Sequence, residues 1–177
     1  MALRPGDTIC ASFCVTLLAS SEEVADYVDA MSDWPSSNEA TEWMRRAFGS
    51  MRSITSAPSQ WPVTDDFVYE DRSRRGGVNF GRLNAPAWMR MMDTFWEPGG
   101  GQPDFEIVEP IAIRGKRSAA FHMRGLYGED QTLDVIQCVR LDPGIRRLER
   151  LIEFDVADRD AAIGELDRLQ AQIVKDA

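Results

Sequence analysis

Two pairs of polar side chains could carry chemistry in this chain of 177 residues. Tyr69 and Asp71 lie two residues apart, and so do His122 and Arg124. Residues at that spacing point to the same side of a β-strand, so each pair could present two groups to one pocket. A carboxylate can act as a general base and a tyrosine can donate a hydrogen bond, and we therefore predict Asp71 as the base and Tyr69 as the donor.

Three further residues would supply the acid or the oxyanion support. Histidine titrates nearer neutral pH than any other side chain, and His122 is the only one in the chain. An arginine can hold an anionic or enolate oxygen through charged hydrogen bonds, which is the role that we predict for Arg124 or Arg150. Arg150 would point into the pocket from a later strand and could also pair with Asp71.

Each of these predictions has a structural alternative. Asp71 could form an exposed ion pair at the strand end with Arg72, Arg74 or Arg75. His122 and Arg124 alternate with more apolar residues, which would ordinarily face the core and leave the pair outside: Ala119, Phe121 and Met123. Arg150 could be a surface arginine beside Glu149 and Glu153.

The apolar residues that would line a pocket come from one helix and one strand. The helix that begins at Asn84-Ala85-Pro86 carries a wide apolar face, for which core packing is the alternative. In the last strand, alternation places four residues on one face: Leu148, Arg150, Ile152 and Phe154. The predicted substrate-binding residues are Trp88, Met92, Phe95, Ile152 and Phe154.

The order of the predicted elements is that of an α+β fold. Amphipathic helices are expected at Glu39–Arg52 and Asp158–Val174, with an earlier helix from Ser20. The loop Thr55–Thr64 contains two prolines and leads into a strand at Phe67–Arg72. The period then changes to two, and hairpin turns separate four strands of an antiparallel meander: Phe105–Ile113, Arg117–Tyr127, Thr132–Leu141 and Ile145–Asp155.

Composition disfavours several classes of function. A formal net charge of -9 argues against a nucleic-acid or anionic-membrane partner. The three cysteines form no CxxC pair and no histidine cluster accompanies them, so we expect reduced thiols in the cytoplasm and no metal site.

The apolar run Thr8–Ser20 is too short to span a membrane and lacks the basic start of a signal peptide. There is no GxSxG motif for a serine nucleophile.

The element order, together with the stretches Val68-Tyr69-Glu70-Asp71 and Leu151-Ile152-Glu153-Phe154-Asp155, resembles the nuclear-transport-factor-two-like superfamily. That superfamily includes SnoaL-like polyketide cyclases, ketosteroid isomerases and limonene-epoxide-hydrolase-like enzymes. The resemblance implies a cone-shaped α+β barrel over residues 38–177, a pocket inside the cone and a homodimer. It does not require the extension at residues 1–37, and the Thr55–Thr64 loop replaces a helix that the family usually has.

The resemblance also implies roles for individual residues. Tyr69-x-Asp71 is similar to a Tyr-x-Asn pair that holds water in the epoxide hydrolases, and His122-x-Arg124 takes the place of their Arg-x-Asp pair. Ile152 stands where those hydrolases keep a catalytic aspartate.

We therefore expect a cofactor-independent SnoaL-like enzyme that cyclises, isomerises or dehydrates an apolar, oxygenated small molecule. The alternatives are a non-catalytic ligand-binding or oligomerising module and, less favoured because of Ile152, an epoxide hydrolase.

Overall fold

A computed structural model describes residues 37–51, 62–74, 80–95, 104–127 and 131–175. Its helices are α1 (Glu39–Met51), α2 (Ala85–Phe95) and α3 (Arg159–Lys175). Its strands are β1 (Val63–Asp71), β2 (Arg82–Asn84), β3 (Asp104–Arg114), β4 (Ser118–Tyr127), β5 (Gln131–Leu141) and β6 (Leu148–Asp155). The predicted helix from Ser20, the apolar run Thr8–Ser20 and most of the proline-containing loop lie outside the described residues.

The strands form one six-stranded sheet in the order β2-β1-β6-β5-β4-β3. The predicted antiparallel meander of β3 to β6 is confirmed, and β1 joins it by pairing in parallel with β6. The three-residue strand β2 was not predicted, because so short a segment shows no alternation. The α+β prediction is thus confirmed, with a mixed sheet.

Each face of the sheet packs against a different set of helices. The inner face, as we call the one that carries Phe67 and Leu151, packs with α1 and α2. The outer face, which carries Ile136 and Ile152, packs against α3. Two hydrophobic clusters, separated by the sheet, therefore stabilise the fold, and burial contributes about 1.5–3 kcal/mol for each large apolar side chain.

The start of α1 is tied to the sheet by its cap. Asn38 Oδ1 accepts a hydrogen bond from the Thr41 amide at 2.9 Å, and Asn38 Nδ2 donates to the carbonyls of Gly115 and Ser118 at 2.9 and 3.0 Å. A side-chain cap satisfies amides that a helix start leaves without partners. This cap thus also fixes α1 over the turn between β3 and β4.

An irregularity in the β5–β6 pairing changes the alternation in the last strand. Arg140 pairs with Arg150, but the next residue of β5, Leu141, pairs with Leu148, so β6 has one extra residue. Leu148 belongs to the inner cluster, whereas Ile152 belongs to the outer one. The prediction that Leu148 shares a face with Arg150 and Ile152 is therefore wrong, because a bulge breaks the period of two.

Candidate functional site

A row of three buried polar residues crosses the inner face of the sheet. Asp71 on β1 is the direct partner of Glu153 on β6, which is in turn the direct partner of Gln137 on β5. Their exposed fractions are 4%, 6% and 5% respectively. Buried polar groups are costly unless they are hydrogen-bonded, so a row of this kind marks a candidate site.

Glu153 lies at the centre of this row and is held from both sides. The Tyr69 hydroxyl donates to Glu153 Oε2 at 2.9 Å, and Gln137 Nε2 donates to Glu153 Oε1 at 2.7 Å. Tyr69 is only 2% exposed. Each carboxylate oxygen thus has a donor that carries no charge of its own, and the two donors come from the strands on either side of β6.

The predicted base, Asp71, is buried and holds both ends of the connection between β1 and β2. Its Oδ1 accepts from the Ser73 amide at 2.9 Å and from the Ser73 hydroxyl at 2.6 Å, and its Oδ2 accepts from the Phe80 amide at 3.1 Å. These donors occupy about three of the four lone-pair sites of a carboxylate. The alternative of an exposed ion pair does not hold, since Asp71 is buried. Arg75 lies outside the described residues.

His122 and Arg124 lie on the other side of the sheet from Tyr69. His122 Nε2 is 2.6 Å from Asp134 Oδ1, and Arg124 Nε is 3.8 Å from the same oxygen. The residues between them, Phe121 and Met123, are in the inner cluster. The expectation that His122 and Arg124 join Tyr69 and Asp71 in one pocket is therefore wrong. Apolar residues took the inner face, as the alternative predicted.

Arg150 also points away from the inner face. Its Nη1 donates to the carbonyls of Asp66 and Glu149, both at 2.8 Å. Burial and the nearby charge of Arg140 lower the pKa of Arg150 below its ordinary value. The expectation that Arg150 enters the cone and pairs with Asp71 is wrong, because the bulge in β6 turns it outward.

The predicted apolar lining divides between the two faces. Trp88 is buried on the inner face, with its ring centroid 5.1 Å from that of Phe67, and Met92 packs partly buried against the same cluster. Ile152 and Phe154 are on the outer face beneath α3, so placing them in the pocket was wrong. The side chain of Phe95 is outside the described part of the chain.

On the outer face a buried carboxylate connects α3 to the end of β1. Glu165 accepts from Arg72 Nη1 at 3.1 Å and from Arg168 Nε at 2.9 Å. Burial alone would raise the pKa of Glu165, but the hydrogen bond from Arg168 and the charge of Arg72 outweigh it and hold the pKa below its ordinary value. Nearby, burial raises the pKa of Cys138 to about 12, which makes this thiol unreactive.

Within the described segments, no cluster of three histidine, cysteine, aspartate or glutamate side chains could hold a metal ion. No helix among the same residues is long and apolar enough to cross a membrane.

Glu153 and Gln137 are the residues that the sequence predictions missed. Both carried a signal. Gln137 interrupts an apolar run in β5 that is buried on both faces, Val135-Ile136 and Cys138-Val139, so its amide had to be buried too. Glu153 shares its alternation with Leu151, which lies in the inner cluster.

No family model matches this chain, and no curated protein matches it. Solved structures do resemble it. A protein of unknown function with a cystatin-like fold from Methylobium petroleophilum PM1 has a TM-score of 0.51 at 14% identity, over 67% of this chain and 76% of that one.

Two further structures resemble the chain less. An NTF2-like protein of unknown function from Mesorhizobium loti has a TM-score of 0.48 at 15% identity, covering 66% of this chain and 89% of that one. The Δ5-3-ketosteroid isomerase from Mycobacterium sp. has a TM-score of 0.46 at 12% identity, covering 70% of this chain and 97% of that one. At such identities a likeness concerns the fold alone. By its element order and sheet topology, the chain has an α+β fold with one mixed six-stranded sheet, and its likeness to the cystatin-like fold of the Methylobium petroleophilum protein concerns that fold.

Proposed function

We propose that this protein is a cofactor-independent enzyme that moves a proton on an apolar, oxygenated small molecule, with Glu153 as the base. The observation that carries the proposal is the buried contact between the Tyr69 hydroxyl and Glu153 Oε2 at 2.9 Å. A carboxylate and a phenol within hydrogen-bond distance, both shielded from water, supply a base and an oxyanion donor. Asp71 has neighbouring amides as partners, which favours a positioning role for it.

In the proposed reaction, Glu153 Oε2 removes a proton from a carbon next to a substrate carbonyl. The C–H electron pair moves into the carbonyl and forms an enolate, whose oxygen accepts a hydrogen bond from Tyr69 in place of the one that Tyr69 donates to Glu153. Where a C=C bond lies next to the deprotonated carbon, the enolate is conjugated with it, and Glu153 returns the proton to the far carbon of that bond, which shifts the double bond and isomerises the substrate. Delivery to a departing oxygen would instead give dehydration, and attack of the enolate carbon on a second carbonyl would close a ring.

The surroundings of Tyr69 and Glu153 favour an apolar substrate. Trp88 and Phe121 belong to the same inner cluster as Tyr69 and are 1% exposed each. In a site with so little water, a hydrogen bond to a developing oxyanion stabilises it more than the same bond would in water. We further propose a compound of the natural-product type as substrate and a homodimer as the assembly.

Deuterium exchange tests the proposal without knowledge of the true substrate. A panel of enolisable cyclic ketones is incubated with the protein in D₂O, and deuterium uptake next to the carbonyl is followed by NMR. We expect Glu153→Gln to abolish protein-catalysed uptake and Tyr69→Phe to reduce it about 10²-fold. His122→Gln is the control and should exchange at the wild-type rate. Equal rates for wild type and Glu153→Gln would contradict the assignment of the base.

A non-catalytic module of the same fold is the second candidate, and the near-complete burial of the polar row favours it. Tyr69, Glu153 and Gln137 are each at most 6% exposed, as in a network that only fixes strand register. Absence of exchange across the panel by folded protein would support this candidate. An epoxide hydrolase is not proposed, because Ile152 and the His122-x-Arg124 pair lie on the outer face.

A further inference from the structure

We infer that Gln137 is a positioning residue that keeps one oxygen of Glu153 fixed and leaves Oε2 to face Tyr69 and the substrate. The inference rests on the proposed function. Its basis is the 2.7 Å hydrogen bond from Gln137 Nε2 to Glu153 Oε1 across the β5–β6 pair.

The location of Gln137 makes its amide dependent on Glu153. Its neighbours in β5, Val135, Ile136, Cys138 and Val139, are all 0% exposed, and Gln137 itself is 5% exposed. An apolar side chain would fill the same volume without the cost of burying an amide, which is unfavourable when the amide lacks a partner. The contact with Glu153 compensates that cost.

The geometry shows what this contact would do for a base. Rotation about the last side-chain bond of a glutamate exchanges its two oxygens. Gln137 on β5 holds Oε1 and Tyr69 on β1 meets Oε2, so donors on both sides of β6 oppose that rotation. When Tyr69 turns to the substrate oxygen, Gln137 still holds Oε1 and with it the carboxylate plane. An amide is neither an acid nor a base near neutral pH, so Gln137 orients Glu153 and takes no part in the transfer itself.

Two substitutions separate this role from a merely structural one in the deuterium-exchange assay. Gln137→Met keeps the volume and loses the donor, and we expect kcat to fall about 10–10²-fold with KM within about twofold, because only the orientation of the base is lost. Gln137→Glu regains a donor only when the new carboxyl is protonated. Its rate relative to wild type should therefore rise as the pH is lowered from 7 to 5, whereas the ratio for Gln137→Met should stay flat.

Thermal unfolding of the same variants tests the contact independently of activity. The carboxyl introduced by Gln137→Glu is buried beside Glu153, so its pKa is raised above the unfolded value of about 4.3. Its Tm should match wild type at low pH and fall below it as the pH rises through the raised value. Gln172→Glu is the control, because Gln172 Oε1 accepts from Arg140 Nη1 at 3.1 Å on the outer face and the new charge would meet a cation.

The outcomes separate the two proposals. Exchange by wild type together with unchanged kcat in Gln137→Met overturns the positioning role alone, even if Tm falls. No exchange by wild type overturns the proposed function and the positioning role together. A Tm difference for Gln137→Glu that does not change with pH overturns the contact with Glu153.

Discussion

The Tyr69 hydroxyl and Glu153 Oε2 meet 2.9 Å apart across the parallel pair of β1 and β6. The direct partner of Tyr69 is Leu151, so the phenol reaches diagonally to the residue two positions further along β6. The contact joins residues 84 positions apart in the sequence. A side-chain hydrogen bond therefore connects the first and the last of the described strands in chain order, in addition to their backbone pairing.

The first prediction concerns the energy of this contact. Tyr69→Phe should lower the free energy of unfolding by about 1–3 kcal/mol, because it leaves a buried carboxylate oxygen without its donor. Combining it with Glu153→Leu should cost less than the sum of the single changes, by about 0.5–3 kcal/mol, since the second change removes the group left without a partner. Urea unfolding of the wild type, both single variants and the double variant measures this difference. Additive effects would show that the two side chains are not coupled.

The second prediction follows from the location of His122 on the outer face. His122→Gln and Arg124→Gln should leave deuterium exchange within about twofold of wild type, because the sheet separates both residues from Glu153. The measurement is the exchange rate on the best ketone of the panel at saturating concentration. A loss of exchange in either variant as large as that in Glu153→Gln would place the chemistry on the outer face.

The fold was accessible to sequence patterns because its main elements are long and periodic. Strands β3 to β6 are eight to eleven residues long each, and the helix predicted at Asp158–Val174 is found at Arg159–Lys175. The sequence could not reveal that β1 pairs in parallel with β6, since strand pairing depends on contacts far apart in the chain.

The candidate site was predicted only in part, for two physical reasons. Tyr69 faces inward as its alternation suggested, but the extra residue in β6 turned Arg150 outward, and no local pattern announces a bulge. Glu153 was overlooked because a charged residue in a strand is usually on the solvent side. Its alternation with Leu151 pointed to the inner face, but the donors that compensate the burial of its carboxylate, Tyr69 and Gln137, come from other strands.

The third prediction concerns acid stability and follows from the lowered pKa of Glu165. A carboxyl with a folded pKa below its unfolded value contributes stability above the unfolded value and loses it as the pH falls through the folded one. The contribution of Glu165 should therefore be complete above its ordinary pKa of 4.5 and be lost gradually as the pH falls from there through the lowered folded pKa. Glu165→Gln should therefore have a lower Tm than wild type at pH 7. The difference in Tm between the two proteins should become smaller as the pH is lowered below about 4.

A matched change on the same helix is the control for this experiment. Asp167 is more than half exposed and pairs with Arg114 at 2.5 Å on the surface, so Asp167→Asn should change Tm little at either pH. A Tm difference between wild type and Glu165→Gln that stays constant from pH 7 to pH 3 would contradict the ionic role of Glu165.

The last prediction concerns a glycine in β4 that a phenyl ring covers. Gly125 is the direct partner of Phe105, and a Cβ at Gly125 would lie 2.9 Å from two carbons of that ring. Phe105 is 5% exposed and packed in the inner cluster, so its ring must shift against buried neighbours, and Gly125→Ala should lower the free energy of unfolding by about 1–3 kcal/mol. Gly164→Ala in α3 is the matched control. A Cβ there meets nothing within 4 Å, so the same substitution should raise the free energy of unfolding by about 0.5–1 kcal/mol through helix propensity alone. Chemical unfolding of both variants measures whether each change lowers or raises the free energy of unfolding. A stabilising Gly125→Ala would mean that the Phe105 ring does not lie over β4.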